Sequence, residues 1–197
     1  MKKKLLSILL CAALVFAMAV PAFAAGSTEN PSVARSVGIA FPGKYYSTST
    51  SQKVALKFKV TNTSEYLNVY SSNGIADYKQ ISTWSWTGAS DQKFAVYRGT
   101  DNITTIRMYD NMLYGLAKSS SNCILRYLVG LSEDNVEITS IRSEYYAFPI
   151  YAWSFDHYSG GCLTATNTNT TVSGGKLVHW ESFTSGNTRQ IWNVDKI

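Results

Sequence analysis

Gln92-Lys93-Phe94-Ala95-Val96 and Gln190-Ile191-Trp192-Asn193-Val194 repeat one arrangement: a glutamine, an aromatic ring two residues later, and an apolar strand end. In an extended segment residues i and i+2 share a face, so each glutamine and its ring point the same way. Testing outward from these stretches for a fixed period comes before any choice among architectures. Tyr66-Leu67-Asn68-Val69, Leu113-Tyr114-Gly115-Leu116 and Cys162-Leu163-Thr164-Ala165 align, with Leu67, Tyr114 and Leu163 spaced 47 and 49 positions apart. Each is preceded by an alternating strand and a polar turn, and each is followed by a strand with an aromatic end, at Trp84, Tyr127 and Trp180.

Short runs such as Leu56-Lys57-Phe58-Lys59-Val60 and Val136-Glu137-Ile138-Thr139-Ser140-Ile141 alternate apolar and polar residues between Gly, Asn, Asp and Ser. That period of two signals strands, and no stretch after the leader offers a helical stripe. The expectation is an all-β domain over 54–197, built of three repeats of about four strands each, at about 54–98, 99–147 and 148–197. Phe94, Ile138 and Trp192 are read as core residues, Ile138 closing a middle repeat in which Val136-Glu137-Ile138 replaces the glutamine motif.

The third repeat, with Gly161-Cys162-Leu163, Gly174-Gly175, Val178-His179-Trp180 and Arg189-Gln190-Ile191-Trp192, resembles the ricin B-type lectins. Their fold is a β-trefoil whose repeats end in Gln-x-Trp, and the resemblance covers roughly the last three quarters of the chain; it implies that Gln92 and Gln190 are primarily struts that tie loop backbone together. It implies a carbohydrate site in each repeat: an early acid, an aromatic ring at the end of the later strand, and an Asn just before the motif glutamine. Such a set suits a sugar, which offers a CH-rich face for stacking and vicinal hydroxyls for amides or carboxylates. Carried onto the first repeat, it selects Asn68, Trp84, Asp91 and Gln92, with Ser82 where a glutamine is usual. The third repeat supplies Trp180 and Gln190 but has Thr164, Val178 and Arg189 at the other positions; the middle one offers Gly115, Leu125, Tyr127 and Asn135. The opposing reading makes Trp84 and Trp180 core rings and Asn68 and Asp91 ordinary turn residues.

No catalytic residue, metal ligand or cofactor is expected. His157 and His179 have no His-x-x-x-His spacing, there is no Cys-x-x-Cys, and no Gly-x-Ser-x-Gly elbow occurs. Glu133, Asp134 and Glu137 read as a solvated turn, and Ser159-Gly160-Gly161 as the turn before the Cys162 strand.

Lys2, Lys3 and Lys4, the apolar run Leu5 to Val20, and Pro21-Ala22-Phe23-Ala24-Ala25 have the order of a secretory signal peptide cut after Ala24. Residues 25–53, with Ser47-Thr48-Ser49-Thr50-Ser51, read as a flexible arm or linker. The whole chain of 197 residues carries 18 Lys+Arg and 13 Asp+Glu, a net charge of +5. Three of those lysines leave with the leader, so 173 residues remain with 15 basic against 13 acidic side chains, a charge of +2. No basic cluster survives, which removes the electrostatic footprint of a nucleic-acid binder. The 16-residue apolar run is short for a membrane span and has no successor, so no stable membrane insertion is expected. Cys11 departs with the leader, and Cys123 and Cys162 either form one bridge or remain two thiols.

The sequence expectation is therefore a secreted, non-catalytic carbohydrate-binding trefoil with glycans or glycoconjugates as partners. The alternative is a protein-binding trefoil, such as a secreted protease inhibitor or a toxin-associated adhesion subunit, with vestigial sugar sites.

Overall fold

The computed structural model of the chain describes residues 35–36, 40–70, 74–147, 150–170 and 175–197; the leader expected at 1–24 lies outside them. Two short strands, β1 (Arg35–Ser36) and β2 (Tyr46–Ser47), precede three sets of four. The first set is β3 (Leu56–Val60), β4 (Glu65–Val69), β5 (Ile81–Ser85) and β6 (Phe94–Arg98). The second is β7 (Thr104–Met108), β8 (Tyr114–Ser119), β9 (Asn122–Tyr127) and β10 (Ile138–Ala147). The third is β11 (Ile150–His157), β12 (Cys162–Asn169), β13 (Lys176–Glu181) and β14 (Trp192–Lys196). No α-helix occurs among the described residues, and none of their helices is long and apolar enough to cross a membrane.

The outer strands of each set build a barrel wall: β3 pairs with β6 and β14, β6 with β7, β10 with β11, and β11 with β14, while β7 lies beside β10. The inner strands form the hairpins β4–β5, β8–β9 and β12–β13. These hairpins meet where β13 pairs with both β5 and β9. Three such units around one core make a β-trefoil, as the repeat pattern predicts.

The registers define which residues are equivalent. Trp192 pairs with Val60, Phe94 with Met108 and Ile138 with His157, so each closing residue meets the end of the first strand of the following unit. Next, Lys59 pairs with Tyr66, Arg107 with Gly115 and Asp156 with Cys162. The apolar residues that follow, Leu67, Leu116 and Leu163, are all completely buried. In the middle unit the equivalent residue is thus Leu116, two positions beyond Tyr114, where the sequence alignment places it. A slip of two leaves every side chain on its original face, so hydrophobic alternation cannot detect it.

Phe94 and Trp192 are fully buried and Ile138 nearly so. The Trp192 indole N–H donates to Leu163 O at 2.9 Å, which satisfies the polar atom of the largest side chain in the core. Around it Phe58 meets Phe94 edge-on at 6.0 Å and Phe155 at 5.4 Å.

The arm expected to be flexible is not separate over its described part. Phe41 is 6% exposed and sits edge-on against Trp153 at 5.0 Å and Phe155 at 6.0 Å. Beyond it β2 runs parallel to β6, Ser47 is buried, and its hydroxyl accepts the Val54 N–H at 2.8 Å. The Ser/Thr-rich composition records the solvent-facing tip at 48–51 and misses the anchor, because one buried ring is enough to hold a short segment.

Candidate functional site

The face of the first unit is set by cross-strand pairing. Lys59 on β3 faces Tyr66 on β4, which faces Trp84 on β5; one step along, Asn68 faces Ser82. Directly opposed residues share a face, so a cation and two rings form a row across three strands, roughly 10 Å long. Trp86, just past β5, adds a third ring at 5.3 Å from Tyr66. Lys57 Nζ lies 5.4 Å from the Trp86 ring centre, and Lys59 Nζ 6.0 Å from that of Tyr66. Trp84 is half-buried, one edge of its indole lying against the backbone of Gly175, where a Cβ would meet Cε3 at 3.1 Å and Thr83 O at 2.9 Å. A glycine there lets the ring lie down on the hairpin of the third unit.

Tyr66, Lys59 and Trp86 were not among the expected site residues. The spacing of Trp84 and Trp86 was visible as a period of two, but the partner strand was not. The loop between β4 and β5 decides which residues of the hairpin oppose one another, and no turn motif declares it.

The polar members divide. Asn68 is 8% exposed and donates its amide protons to Val69 O at 2.9 Å and Ser82 Oγ at 3.3 Å, so it joins β4 to β5. Gln92 is fully buried: Oε1 accepts from the Thr87 N–H and hydroxyl at 2.7 and 2.9 Å, and Nε2 donates to Ser85 O at 2.8 Å. Gln190 repeats this with the Thr184 N–H at 2.8 Å and Ser182 O at 2.9 Å, and adds Thr164 Oγ1 at 3.0 Å. Neither glutamine can touch a ligand, because both ends of each amide are consumed inside the protein. Both act as the struts the sequence suggests and do not belong to a binding surface.

Trp180 is a correction with a geometric cause. Leu163 pairs with Trp180 as Leu67 pairs with Thr83, so the counterpart of Trp84 is Glu181 and Trp180 is one residue out of step. The matching strut bonds, Gln92 to Ser85 and Gln190 to Ser182, fix the same equivalence. An odd slip turns a side chain to the opposite face. Trp180 is accordingly 3% exposed, packs on His157 at 4.8 Å and donates its indole N–H to Ala117 O at 3.2 Å. It is a core ring and cannot serve as a platform.

At the positions of Asn68, Ser82 and Gln92, the middle unit has Ala117, Ile124 and Val136, which pack together with Leu128 and Leu131 as an apolar cluster. In the third unit the Thr164 hydroxyl is buried and donates to Cys162 O at 2.8 Å. The row Lys59–Tyr66–Trp84 becomes Arg107–Gly115–Arg126 in the second unit and Asp156–Cys162–Glu181 in the third. The backbone is threefold, but the aromatic row belongs to the first unit.

Asp91 stands in the short 3-10 turn Ser90–Gln92 with Oδ1 buried and unbonded, and burial raises its carboxyl above the usual aspartate range, its own backbone N–H opposing the shift. A carboxyl with a raised folded value is favoured protonated in the folded state, so its stabilising contribution fades as pH climbs from the ordinary 3.8 through the raised value. Asp91→Asn is expected to remove this component: in thermal melts from about pH 3 to 7 the variant should gain on the wild type as pH rises. A constant difference across that range would place the shift elsewhere.

The thiols are buried and the His157 imidazole is bonded inside the protein, whereas His179 Nε2 is buried without a partner among the described residues. Cys123 and Cys162 are both buried and free, which decides between the two arrangements left open by the sequence. Burial, with Asp156 nearby, pushes the Cys162 thiol up to about 12, and burial alone raises Cys123, so neither is a nucleophile. His157 is buried, its Nδ1 accepts the Ser159 N–H at 3.1 Å, and Nε2 donates to Asn135 O at 2.9 Å. Among the described residues no three His, Cys, Asp or Glu side chains gather as metal ligands. A cavity of about 450 Å³ between Phe41, Tyr46, Arg98 and Glu137, and another of about 190 Å³ beside Arg107 and Val136, are both lined without Asn68, Trp84 or Asp91.

No protein-family model matches the chain, and no curated protein is significantly similar to it in sequence. Solved structures match by fold. The designed three-fold symmetric protein ThreeFoil has a TM-score of 0.56 at 19% identity over 73% of this chain and 99% of its own. The C-half of an earthworm R-type lectin, solved in complex with GalNAc, has a TM-score of 0.51 at 13% identity over 73% and 99%. A mosquitocidal holotoxin has a TM-score of 0.53 at 15% identity over 73% of this chain but only 16% of its own. At these identities the likeness establishes the architecture alone: the chain is a β-trefoil.

Proposed function

We propose that the protein is an exported, non-catalytic carbohydrate-binding trefoil whose ligand lies on the first unit. The observation that carries this reading is the row Lys59–Tyr66–Trp84 with Trp86 beside it, on one face of the hairpin that also holds Asn68 and Ser82. Flat rings in line match the CH faces of successive pyranoses, and lysines at the margin supply hydrogen-bond donors. The fold likeness to a lectin solved with GalNAc is consistent with it. In this reading Trp84, Tyr66 and Trp86 stack, Asp91 offers hydroxyls only its Oδ2, since Oδ1 is buried, Asn68 ties β4 to β5, and Gln92 and Gln190 hold the loops.

Retention on immobilised glycans compares wild type with Trp84→Ala. Trp84 is half-buried on the surface of a hairpin, so the fold should survive while binding falls at least about tenfold, the equivalent of ~1.4 kcal/mol. Wild-type protein that binds no glycan on an array, or a variant that binds as well, overturns the assignment.

A second reading, docking to a protein, draws support from Leu113 and Val129, which are 49% and 64% exposed at the ends of the second unit's hairpin. Aliphatic side chains offer a sugar nothing to stack on, but they do suit an interface. A stoichiometric partner from the natural milieu that free sugars do not displace would favour it.

A further inference from the structure

The three seams of the barrel wall differ. Lys59, Arg107 and Asp156 are equivalent by register, so Leu56, Thr104 and Trp153 share one position three residues earlier in each unit. Leu56 pairs with the closing residue Phe94, and Trp153 with the closing residue Trp192. The third pair would be Thr104 with Ile138, and it is not made: β7 and β10 lie side by side with no ladder between them. Large side chains stand at two seams, whereas threonine and isoleucine leave the third underfilled. The cavity of about 450 Å³ opens there, with Thr104 and Ile138 both in its wall. Phe41 of the N-terminal segment lines it without filling it.

Opposite charges line this cavity without meeting. Arg98 is fixed at its rim: Nε donates to Thr104 Oγ1 at 3.2 Å, Nη2 donates to the Tyr46 hydroxyl at 3.0 Å, and the guanidinium lies over the Tyr46 ring at 4.2 Å. Glu137 leads into β10 between the buried Val136 and Ile138, and its backbone carbonyl accepts the Tyr158 N–H at 2.9 Å. Among the described residues its carboxylate makes no hydrogen bond or ion pair, and Arg98 Nη1 and the Asn102 side-chain amide make no hydrogen bond. A cation and a carboxylate held apart in one cavity match a molecule that carries both charges itself. A ligand of one sign would be attracted by one group and repelled by the other.

We infer that this cavity is a site for a zwitterionic amino acid or dipeptide with apolar side chains. The ligand carboxylate accepts from Arg98 and the Asn102 amide, its ammonium donates to Glu137, and its side chain lies against Phe41, Ile138 and Ile141. The volume falls within the range of small-ligand pockets, about 300 to 1,000 Å³. None of the three hairpins β4–β5, β8–β9 and β12–β13 contributes a residue to the wall, so the site is independent of the aromatic row on the first unit.

Leucine and the dipeptide leucyl-leucine are titrated to about 50 mM into the isotope-labelled protein, following the Arg98 Nε–H and the backbone amides of Asn102 and Ile138 by NMR. At least one of them should shift all three signals in a saturable way. N-acetyl-leucine, which lacks the ammonium, and leucinamide, which lacks the carboxylate, should each bind at least about tenfold more weakly. Glu137→Gln should weaken the response to the zwitterion about tenfold while strengthening that to N-acetyl-leucine, because the repulsion is gone. Thr104→Leu restores the apolar residue that the other two seams carry, so the cavity should fill and the shifts vanish; if that variant does not fold, Glu137→Gln alone decides. No saturable shift with either zwitterion, equal binding of N-acetyl-leucine or leucinamide, zwitterion binding unchanged in Glu137→Gln, or shifts that persist in folded Thr104→Leu would overturn the site. Trp84→Ala should leave all of these shifts in place, so glycan retention by the first unit can hold or fail without altering the result.

Discussion

Trp192→Ala is expected to destabilise the fold by about 3 to 5 kcal/mol, the range for removing a fully buried large ring. The indole has no exposed surface, and its N–H bond to Leu163 O spans from the last strand to the start of the third unit's hairpin. Truncation leaves a cavity and orphans a buried carbonyl, and the rigid barrel wall around Val60 and Trp153 can close on it only in part. Urea denaturation should show the midpoint falling with an unchanged slope. Ile138→Ala, at the equivalent position of the second unit, should cost less, about 2 to 4 kcal/mol, because a smaller side chain without a polar bond is lost. Equal effects at the two positions would mean that neither the extra volume nor the bond of the indole adds to what Ile138 contributes.

Phe41→Ala tests the docking of the N-terminal segment. The ring touches Tyr45 and Tyr46 at 5.6 and 5.3 Å as well as Trp153 and Phe155, so it links its own segment to the barrel core. A loss of about 3 kcal/mol or more is expected. Because the segment also pairs through β2, partial undocking should come before global unfolding, and trypsin should cut after Lys44 or Lys53 faster than in the wild type. A Phe41→Ala protein with wild-type stability and protease resistance would show that the segment is held by its backbone alone.

The two glutamine motifs led correctly to Phe94 and Trp192, and the gap between them led to Ile138, because a ring or branched chain every fifty residues between polar turns has nowhere to go but a shared core. Gln92 and Gln190 were recognisable as struts for a related reason: an amide two residues before a core ring is carried to the inside and must be bonded there. The candidate site was less legible. Trp84, which the sequence leaves open as platform or core ring, is half-buried, and its partners Tyr66 and Lys59 sit on strands whose register depends on loop geometry. Trp180 was placed by the same pattern and fell on the wrong face, since a single residue separates an outward ring from an inward one. Arg98 was not suggested at all, and Glu137 was read within a solvated turn, although the two line one cavity from different units.

By itself the sequence determined the strand content, the three-unit plan and the identity of the closing core residues, since these follow from side-chain volume and polarity repeated at a fixed spacing. Tertiary structure alone decided which aromatic rings face water, that Phe41 plugs into the barrel core, and that Arg98 and Glu137 line one cavity. Local periodicity carries no information about cross-strand register or contacts between units, and a shift of one residue in an extended chain reverses the direction of every side chain.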